Sequence, residues 1–239
     1  MSAGSWAMRL LTRSICPMSD LRLVIWDVDG TLVDSQAEIM AAMTVAFASE
    51  GLPMLDRATV LSIVGLSLAE AFAVLCPDSS AVQRAHLVDA YKGAFNDLRG
   101  PDGNAELSPM FAGAYDTLRL LHAQDDTLLA VATGKSKRGL DKMIARHNLH
   151  GLFISQQVAD FHPSKPHPAM VQAALSDTGL DARRAVMIGD TTYDMDMGRA
   201  AGVHTIGVTW GYHRLDASHA DRIIDSFADL PATIDALIG

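Results

Sequence analysis

The sequence has little of several features that mark particular classes of protein. Two cysteines in 239 residues, Cys16 and Cys76, provide neither a disulfide framework nor the spacing of zinc ligands, and they favour the reducing cytoplasm. No uninterrupted apolar run approaches the roughly 18 residues of a membrane-spanning helix. Nine prolines and 18 glycines are too few for a fibrous or disordered chain. The composition therefore predicts a globular protein that does not span a membrane.

Basic residues are also scarce relative to acidic ones. Nineteen Lys and Arg residues against 28 Asp and Glu residues give a formal charge of -9, which would repel a nucleic-acid backbone. We therefore expect no nucleic-acid or membrane partner, and a monomer or homodimer that acts in the cytoplasm. Residues 1–18 form a predicted N-terminal extension without a function of its own, because Arg9 and Arg13 interrupt what would be the apolar core of a signal peptide.

Short apolar runs of strand length alternate with helical patterns along most of the chain. Continuous apolarity indicates strands that are covered on both faces, as in a parallel sheet. The predicted strands are residues 21–26, 127–132, 185–188 and 203–208, with weaker candidates at 152–155 and 222–224. The predicted helices are residues 112–123, 136–147, 168–178, 193–201 and 228–238. This alternation predicts an α/β fold with a doubly wound, Rossmann-like parallel sheet, which binds ligands at the carboxyl ends of its strands.

Residues 36–104 interrupt the alternation, because they contain helical patterns and no convincing strand. Apolar residues recur there at spacings of three and four, and glycine or proline separates one helical stretch from the next. We therefore predict an all-helical cap subdomain over residues 36–104. The α/β core would then be formed by residues 19–35 and 105–239.

Carboxylates follow two of the predicted strands. Asp27 and Asp29 come after the first strand with their side chains on the same side, and Gly30 then permits a sharp turn. Two close carboxylates repel each other unless a cation or a shared proton compensates, although Asp and Gly are also common in ordinary turns. Asp190 follows a later strand, and Asp194 lies four residues further on the same face. Together these residues predict an oxygen-ligand site for Mg²⁺, while Asp194 alone would also suit the first turn of a helix.

Two loops contribute groups that bind phosphate. Thr133 and Gly134 follow the strand at 127–132 and precede a helix, whose N-terminal N–H groups bind anions. Lys135 opposes the dipole of that helix, which a nearby anion would explain, although exposed lysines are common. Lys165 lies in a proline-rich loop, where its ammonium would balance the carboxylates; without them it would be an ordinary surface lysine.

These residues together resemble the motifs of the haloacid dehalogenase superfamily. The motif segments are Asp27–Ser35, Thr133–Gly134, Lys165–Pro166 and Gly189–Thr191 with Asp194. Their order is that of the superfamily, and their spacing is that of members with a helical cap after the first motif. Within the superfamily the chain is most similar to the phosphoglycolate phosphatase branch, through Lys165–Pro168 and Thr209–Tyr212.

The resemblance implies a Mg²⁺-dependent phosphatase that hydrolyses a small phosphorylated metabolite, such as phosphoglycolate, through an aspartyl phosphate. Asp27 would be the nucleophile and Asp29 the acid and base, and Thr133 and Lys165 would complete the catalytic set. The implied Mg²⁺ ligands are Asp27, the backbone carbonyl of Asp29, Asp190 and Asp194. The implied phosphate-binding residues are Thr133, Gly134, Lys135 and Lys165.

Functions of other classes remain alternatives. A phosphomutase of the β-phosphoglucomutase type has every one of these core motifs and would return the phosphoryl group to a sugar hydroxyl instead of water. A dehalogenase and a phosphonate hydrolase are disfavoured, because neither branch keeps an acid/base residue like Asp29. A non-catalytic binding protein has no support, since every core chemical position is present.

Overall fold

Six parallel strands form the centre of the molecule in a computed structural model that describes residues 20–97 and 108–239. The strands are β1 (Arg22–Trp26), β2 (Thr127–Thr133), β3 (Ser155–Val158), β4 (Ala185–Gly189), β5 (His204–Val208) and β6 (Arg222–Ile224). They are hydrogen-bonded in the order β3-β2-β1-β4-β5-β6. The predicted doubly wound α/β fold is therefore confirmed. The predicted extension at residues 1–18 lies outside the described residues.

Every residue of β1 is buried, because this strand has a neighbour on each side and a hydrophobic layer on each face. Val24 and Trp26 belong to one hydrophobic cluster, whereas Leu23 and Ile25 belong to another. Successive side chains of a strand point to opposite faces of the sheet. Both faces of β1 are therefore covered, which explains its run of apolar residues without polar alternation.

The described chain between β1 and β2 is helical and has a hydrophobic cluster of its own. Its helices are α1 (Gln36–Ser49), α2 (Arg57–Leu61), α3 (Leu68–Leu75) and α4 (Ala81–Asp97), and we call residues 36–97 the helical insertion. The ring of Phe72 lies 6.2 Å from that of Phe47 and 6.3 Å from that of Tyr91. The cap boundaries at residues 36 and 104 stay a prediction, and residues 98–104 lie outside the described residues.

Helices cover both faces of the sheet. They are α5 (Ala114–His122), α6 (Lys137–Arg146), α7 (Ala169–Thr178), α8 (Thr192–Ala201) and α9 (Leu230–Ile238). Side chains of α5, α6 and α9 join the cluster that contains Trp26, and side chains of α7 and α8 join the cluster on the opposite face. Among the described residues, we find no helix with the length and apolar character needed to cross a membrane.

The chain leaves the core and returns to it through two neighbouring segments, which we call the neck. The N–H of Asp34, in the outgoing segment, donates to the carbonyl of Pro109 in the returning segment at 2.9 Å. The Ser108 hydroxyl donates to the buried carboxylate of Glu38, at the start of α1, at 2.6 Å. The two segments are therefore bound to each other where the helical insertion joins the core.

One predicted strand was wrong in its position. The apolar run at residues 152–155 predicts a strand there, but β3 begins at Ser155 and continues through two glutamines. β3 is an edge strand that pairs with β2 alone, so it does not need the continuous apolarity of an inner strand. Leu152 and Phe153 are buried instead in the hydrophobic cluster under the sheet. The other predicted strands, and the helices of the core, begin and end within two residues of their predicted bounds.

Candidate active site

Three strands bring predicted site residues to one edge of the sheet. Asp27 follows β1, Thr133 ends β2 and Asp190 follows β4, and all three side chains are buried. Parallel strands have their carboxyl ends on the same side, so residues far apart in sequence meet there. Lys165 reaches the same edge from the loop before α7. The topology therefore assembles the side chains that the sequence predicts to act together.

Lys165 joins two buried carboxylates. Its ammonium donates to Oδ1 of Asp27 and to Oδ1 of Asp194, each at 2.6 Å, and the residue is only 2% exposed. Burial raises the pKa of Asp27 to about 7, although the neighbouring Lys165 charge opposes this shift. Burial alone would lower the pKa of Lys165, but the charges of Asp194 and Asp27 outweigh burial and raise it. The lysine is therefore held as a cation between the two aspartates.

Asp190 is held in place from two directions. The Thr31 hydroxyl donates to its Oδ1 at 3.0 Å, and the backbone N–H of Tyr212 donates to its Oδ2 at 2.7 Å. Burial raises the pKa of Asp190 well above its ordinary value, and the nearby aspartates add to the shift. Gly30 makes room for this carboxylate, because it has a φ of +84° and a Cβ there would lie 2.3 Å from Oδ2.

Three of the predicted metal ligands come together. Asp27, Asp190 and Asp194 each offer a carboxylate oxygen, and these three oxygens lie within 4.8 Å of one another. When ionised, the three buried carboxylates carry more negative charge than the single positive charge of Lys165 can balance. Carboxylate oxygens are also the ligands that Mg²⁺ prefers. The residues present therefore fit a divalent cation.

Asp194 also has a structural role. Its Oδ2 accepts hydrogen bonds from the N–H and the hydroxyl of Thr191, at 3.1 and 2.6 Å, which closes a capping box at the start of α8. Its Oδ1 is bonded to Lys165. Asp194 therefore has both of the roles that the sequence suggests: it caps the start of α8, and it belongs to the carboxylate cluster.

Asp29 is not one of the three clustered carboxylates and pairs with Lys135. The Lys135 ammonium donates to both carboxylate oxygens of Asp29, at 2.5 and 2.8 Å, and lies 5.3 Å from the centre of the Phe95 ring. The sequence predicts an anion near Lys135, and in the structure the Asp29 carboxylate is that anion. The predicted metal contact of Asp29 involves its backbone carbonyl and stays a prediction.

Gly134 lies directly under the helical insertion. A Cβ at this position would lie 2.6 Å from the backbone oxygen of Gly65 and 2.7 Å from that of Leu66, in the turn before α3. Nearby, the N–H of Ser67 donates to the hydroxyl of Ser164 in the core at 2.8 Å. A glycine at position 134 therefore allows the insertion to close against the loop that carries Thr133.

A cavity of about 350 Å³ lies between this edge of the sheet and the helical insertion. The predicted site residues that line it are Asp27, Asp29, Thr133, Gly134 and Lys135. Lys165, Asp190 and Asp194 do not line it and are buried. A ligand in this cavity would therefore meet the lining residues directly, while the three buried charged residues would act on it through Asp27 or through a bound cation.

Sequence reasoning missed Thr31 and Tyr212 as parts of the site. The Tyr212 hydroxyl accepts from the N–H of Ser35 at 2.8 Å and donates to Asp34 at 3.2 Å, in addition to the backbone contact with Asp190. Burial raises the pKa of Tyr212, so its hydroxyl stays protonated. Both residues lie within the motif segments. Tyr212 contacts Asp190 through its backbone N–H, which leaves no signal in the sequence, whereas Thr31 uses its hydroxyl, whose partner depends on the fold.

The fold and the site define a protein of the doubly wound α/β class with a candidate active site centred on carboxylates. The chain matches the family model described as haloacid dehalogenase-like hydrolase over residues 24–208. It belongs to this family of haloacid dehalogenase-like hydrolases, as the motifs predict.

Individual relatives and structures agree with this assignment. The chain is 35% identical over 222 residues to "Probable phosphatase IndB" of Dickeya dadantii, a match that covers 90% of this chain and 94% of the relative. It is 29% identical over 228 residues to a phosphoglycolate phosphatase of Aliivibrio fischeri, covering 90% and 97% of the two chains. A solved haloacid dehalogenase-like family hydrolase from Streptococcus pneumoniae superposes with a TM-score of 0.77 at 24% identity, covering 90% and 99%, which shows the same fold.

Proposed function

We propose that the protein is a Mg²⁺-dependent phosphatase that hydrolyses a small phosphomonoester through an aspartyl phosphate on Asp27. The observation that carries the proposal is the state of Asp27. This residue lines the cavity, and its Oδ2 is buried and has no hydrogen-bond partner among the described residues. A carboxylate oxygen that is held in place and unpaired is suited to attack an electrophile. The relatives that are named as phosphatases support phosphorus as that electrophile.

Asp27 would attack the phosphorus atom of the bound ester. A bond forms between Oδ2 of Asp27 and phosphorus, while the bond from phosphorus to the ester oxygen breaks and the alcohol departs. Asp29, which lines the same cavity, would give a proton to the departing oxygen. It would then take a proton from the water that hydrolyses the aspartyl phosphate and restores Asp27.

Lysines would govern the charges in this reaction. A carboxylate that approaches a phosphate dianion is repelled, and the Lys165 ammonium, 2.6 Å from Asp27, reduces the negative charge. Lys135 pairs with Asp29, and the phosphate would offer this ammonium a second anionic partner. When Lys135 moves its contact from Asp29 to the phosphate, an oxygen of Asp29 would become free to carry the proton that is given to the departing alcohol. Thr133 and Gly134 would contribute a hydroxyl and an N–H to the phosphate oxygens.

The carboxylates would hold the metal ion. Asp27 and Asp190 would bind it with the backbone carbonyl of Asp29, and Asp194 would support them while it caps α8. When bound, Mg²⁺ supplies positive charge that stabilises the phosphoryl oxygens in the transition state. Thr31 and Tyr212 would orient Asp190 toward this task.

The setting of the reaction belongs to the same proposal. The partner would be a small phosphorylated metabolite, and we propose neither a nucleic-acid nor a membrane partner. A net charge of -9 would repel a nucleic-acid backbone. We place the protein in the cytoplasm, as a monomer or a homodimer. The proposed core and cap remain residues 19–35 with 105–239 and residues 36–104.

The test is phosphate release from phosphoglycolate, sugar phosphates and pyrophosphate, with Mg²⁺ and with a chelator. Wild-type protein should release phosphate in the presence of Mg²⁺ and not in the presence of the chelator. Asp27→Asn should lower kcat by at least roughly 10⁴-fold, because the nucleophile is lost. Asp196→Asn is the matched control, since this aspartate is exposed and pairs with Arg199 on the surface of α8. Conversion of sugar 1-phosphates without phosphate release would identify the phosphomutase instead. Activity of Asp27→Asn near that of wild type would refute the nucleophile.

A further inference from the structure

The two ends of the cavity differ in chemistry. The core end presents charged and polar side chains, among them Asp27, Asp29 and Lys135. The end formed by the helical insertion is aliphatic and aromatic, through Ile39, Met43, Ile63, Val64, Tyr91 and Phe95. Of the described insertion residues that line the cavity, Lys92 alone carries a charge, and it is exposed. A phosphate at the core end therefore directs the rest of the molecule toward an apolar surface.

The helical insertion contacts the core through hydrogen bonds, so this apolar surface is shielded from solvent. The Tyr193 hydroxyl of α8 donates to the backbone oxygen of Ser62 at 3.3 Å, and the N–H of Ser67 donates to the hydroxyl of Ser164. Tyr91 and Phe95 stack with their centroids 5.5 Å apart and present aromatic rings from α4. A sugar hydroxyl buried against these side chains would lose its hydrogen bonds to water. Each hydroxyl left without a partner would lower the binding affinity roughly tenfold.

We propose that the substrate is a phosphate monoester of an apolar alcohol, with a ring or branched alkyl body of about six carbons or more. This inference rests on the proposed phosphatase function and assigns the alcohol to the part of the cavity formed by the insertion. Burial of the apolar body against aliphatic and aromatic side chains supplies the binding free energy, and the phosphate supplies the orientation toward Asp27.

The charges at the core end disfavour glycolate as the alcohol. Its carboxylate lies one carbon from the ester oxygen, which places it beside Asp27 and Asp29. Of the cations that line this end of the cavity, Lys135 already contacts both oxygens of Asp29, whereas Arg138 and Lys142 lie further along, on α6. A second anion would compete with the phosphate for the Lys135 ammonium, and glycolate has no apolar body to bury against the insertion, so phosphoglycolate should be a poor substrate.

The first test compares two primary phosphate esters that share a six-membered ring, cyclohexylmethyl phosphate and glucose 6-phosphate. We expect kcat/KM with Mg²⁺ to be at least tenfold higher for the cyclohexylmethyl ester, and phosphoglycolate to resemble glucose 6-phosphate. Equal values, or a preference for glucose 6-phosphate or phosphoglycolate, would overturn the inference while leaving the phosphatase proposal intact. Release from none of the esters would count against the phosphatase proposal, and calorimetry with the corresponding phosphonates would then decide. Tighter binding of the cyclohexyl phosphonate supports the apolar site, and equal binding overturns it.

The second test adds one hydroxyl to the apolar wall. Val64 lines the cavity and is 6% exposed, and Val64→Thr keeps its shape while adding a polar atom. We expect kcat/KM for cyclohexylmethyl phosphate to fall roughly tenfold while that for glucose 6-phosphate is retained. Val74→Thr is the matched control, because Val74 lies on α3 and is 56% exposed. An equal loss for both esters in Val64→Thr, with the fold intact by thermal unfolding, would contradict a role in selecting the alcohol.

Discussion

Replacing Lys165 by methionine tests how the charges of the site are balanced. Methionine is similar in length to lysine but removes the ammonium that contacts Asp27 and Asp194 at 2.6 Å each. Both carboxylates remain buried and lose their cation. The substitution should therefore destabilise the fold as well as the reaction, although the lysine lies in a loop between secondary-structure elements.

The size of the loss follows from the two contacts. At an effective dielectric constant of about 20, each pair of charges 2.6 Å apart attracts by about 6 kcal/mol. Desolvation of the buried ions offsets much of this attraction, and breaking a buried ion pair costs about 3–5 kcal/mol in practice. We expect a loss of this size in the free energy of unfolding of the metal-free protein at pH 8.

The loss should depend on pH. The pKa of Asp27 is about 7 in the fold against an ordinary value of 3.8, so protonated Asp27 stabilises the fold at low pH. This contribution is fully present below pH 3.8 and is lost as the pH rises through 7. Removing Lys165 raises the pKa of Asp27 further. The deficit of Lys165→Met should therefore be larger at pH 8 than at pH 5, and Mg²⁺ should restore part of it at pH 8.

Urea unfolding at pH 5 and pH 8, with Mg²⁺ and with a chelator, measures these differences. Lys137→Met serves as control, because Lys137 is 39% exposed and pairs with Asp141 on the surface of α6. Its substitution should change the free energy of unfolding by less than about 1 kcal/mol at either pH. A deficit for Lys165→Met that is equal at the two pH values, or below about 1 kcal/mol at pH 8, would refute the reasoning.

Two further substitutions test the contacts around the site. Gly134→Ala places a Cβ against two backbone oxygens of the insertion and should lower kcat/KM by roughly a hundredfold. Gly93→Ala, with open space around it, should leave steady-state kinetics unchanged, and a similar loss in both would contradict the steric argument. Tyr212→Phe removes the acceptor of the Ser35 N–H and should lower the free energy of unfolding by about 1–2 kcal/mol in urea. The backbone contact with Asp190 remains, so a calorimetric titration should give unchanged Mg²⁺ affinity, and weakened binding would argue against this division of roles.

The inner strands could be predicted because burial on both faces requires apolar residues, as in β1 and β4. The edge strand β3 could not be placed by the same reasoning. Its polar sequence is allowed by its position at the edge, and that position depends on the order of all six strands. The nearby apolar pair, Leu152 and Phe153, is buried under the sheet without being part of a strand.

The candidate site was predictable where strands end in charged residues and hidden where the backbone makes the contact. Asp27 and Asp190 follow apolar runs, so the parallel topology alone brings them to one edge. Tyr212 contacts Asp190 through its backbone N–H, a donor that almost every residue possesses. The pairing of Lys135 with Asp29 was equally hidden, because two loops 106 residues apart must first be folded together.

The neck makes the helical insertion a module that is joined to the core at one place. Covalent continuity between the insertion and the core passes through two adjacent segments, bound at Asp34 with Pro109 and at Glu38 with Ser108. The insertion has its own hydrophobic cluster, so its residues 36–97 can diverge without repacking the sheet. Under the proposed division of labour, mutations in that segment would change the choice of alcohol, while the carboxylates at the sheet edge continue to perform the same chemistry.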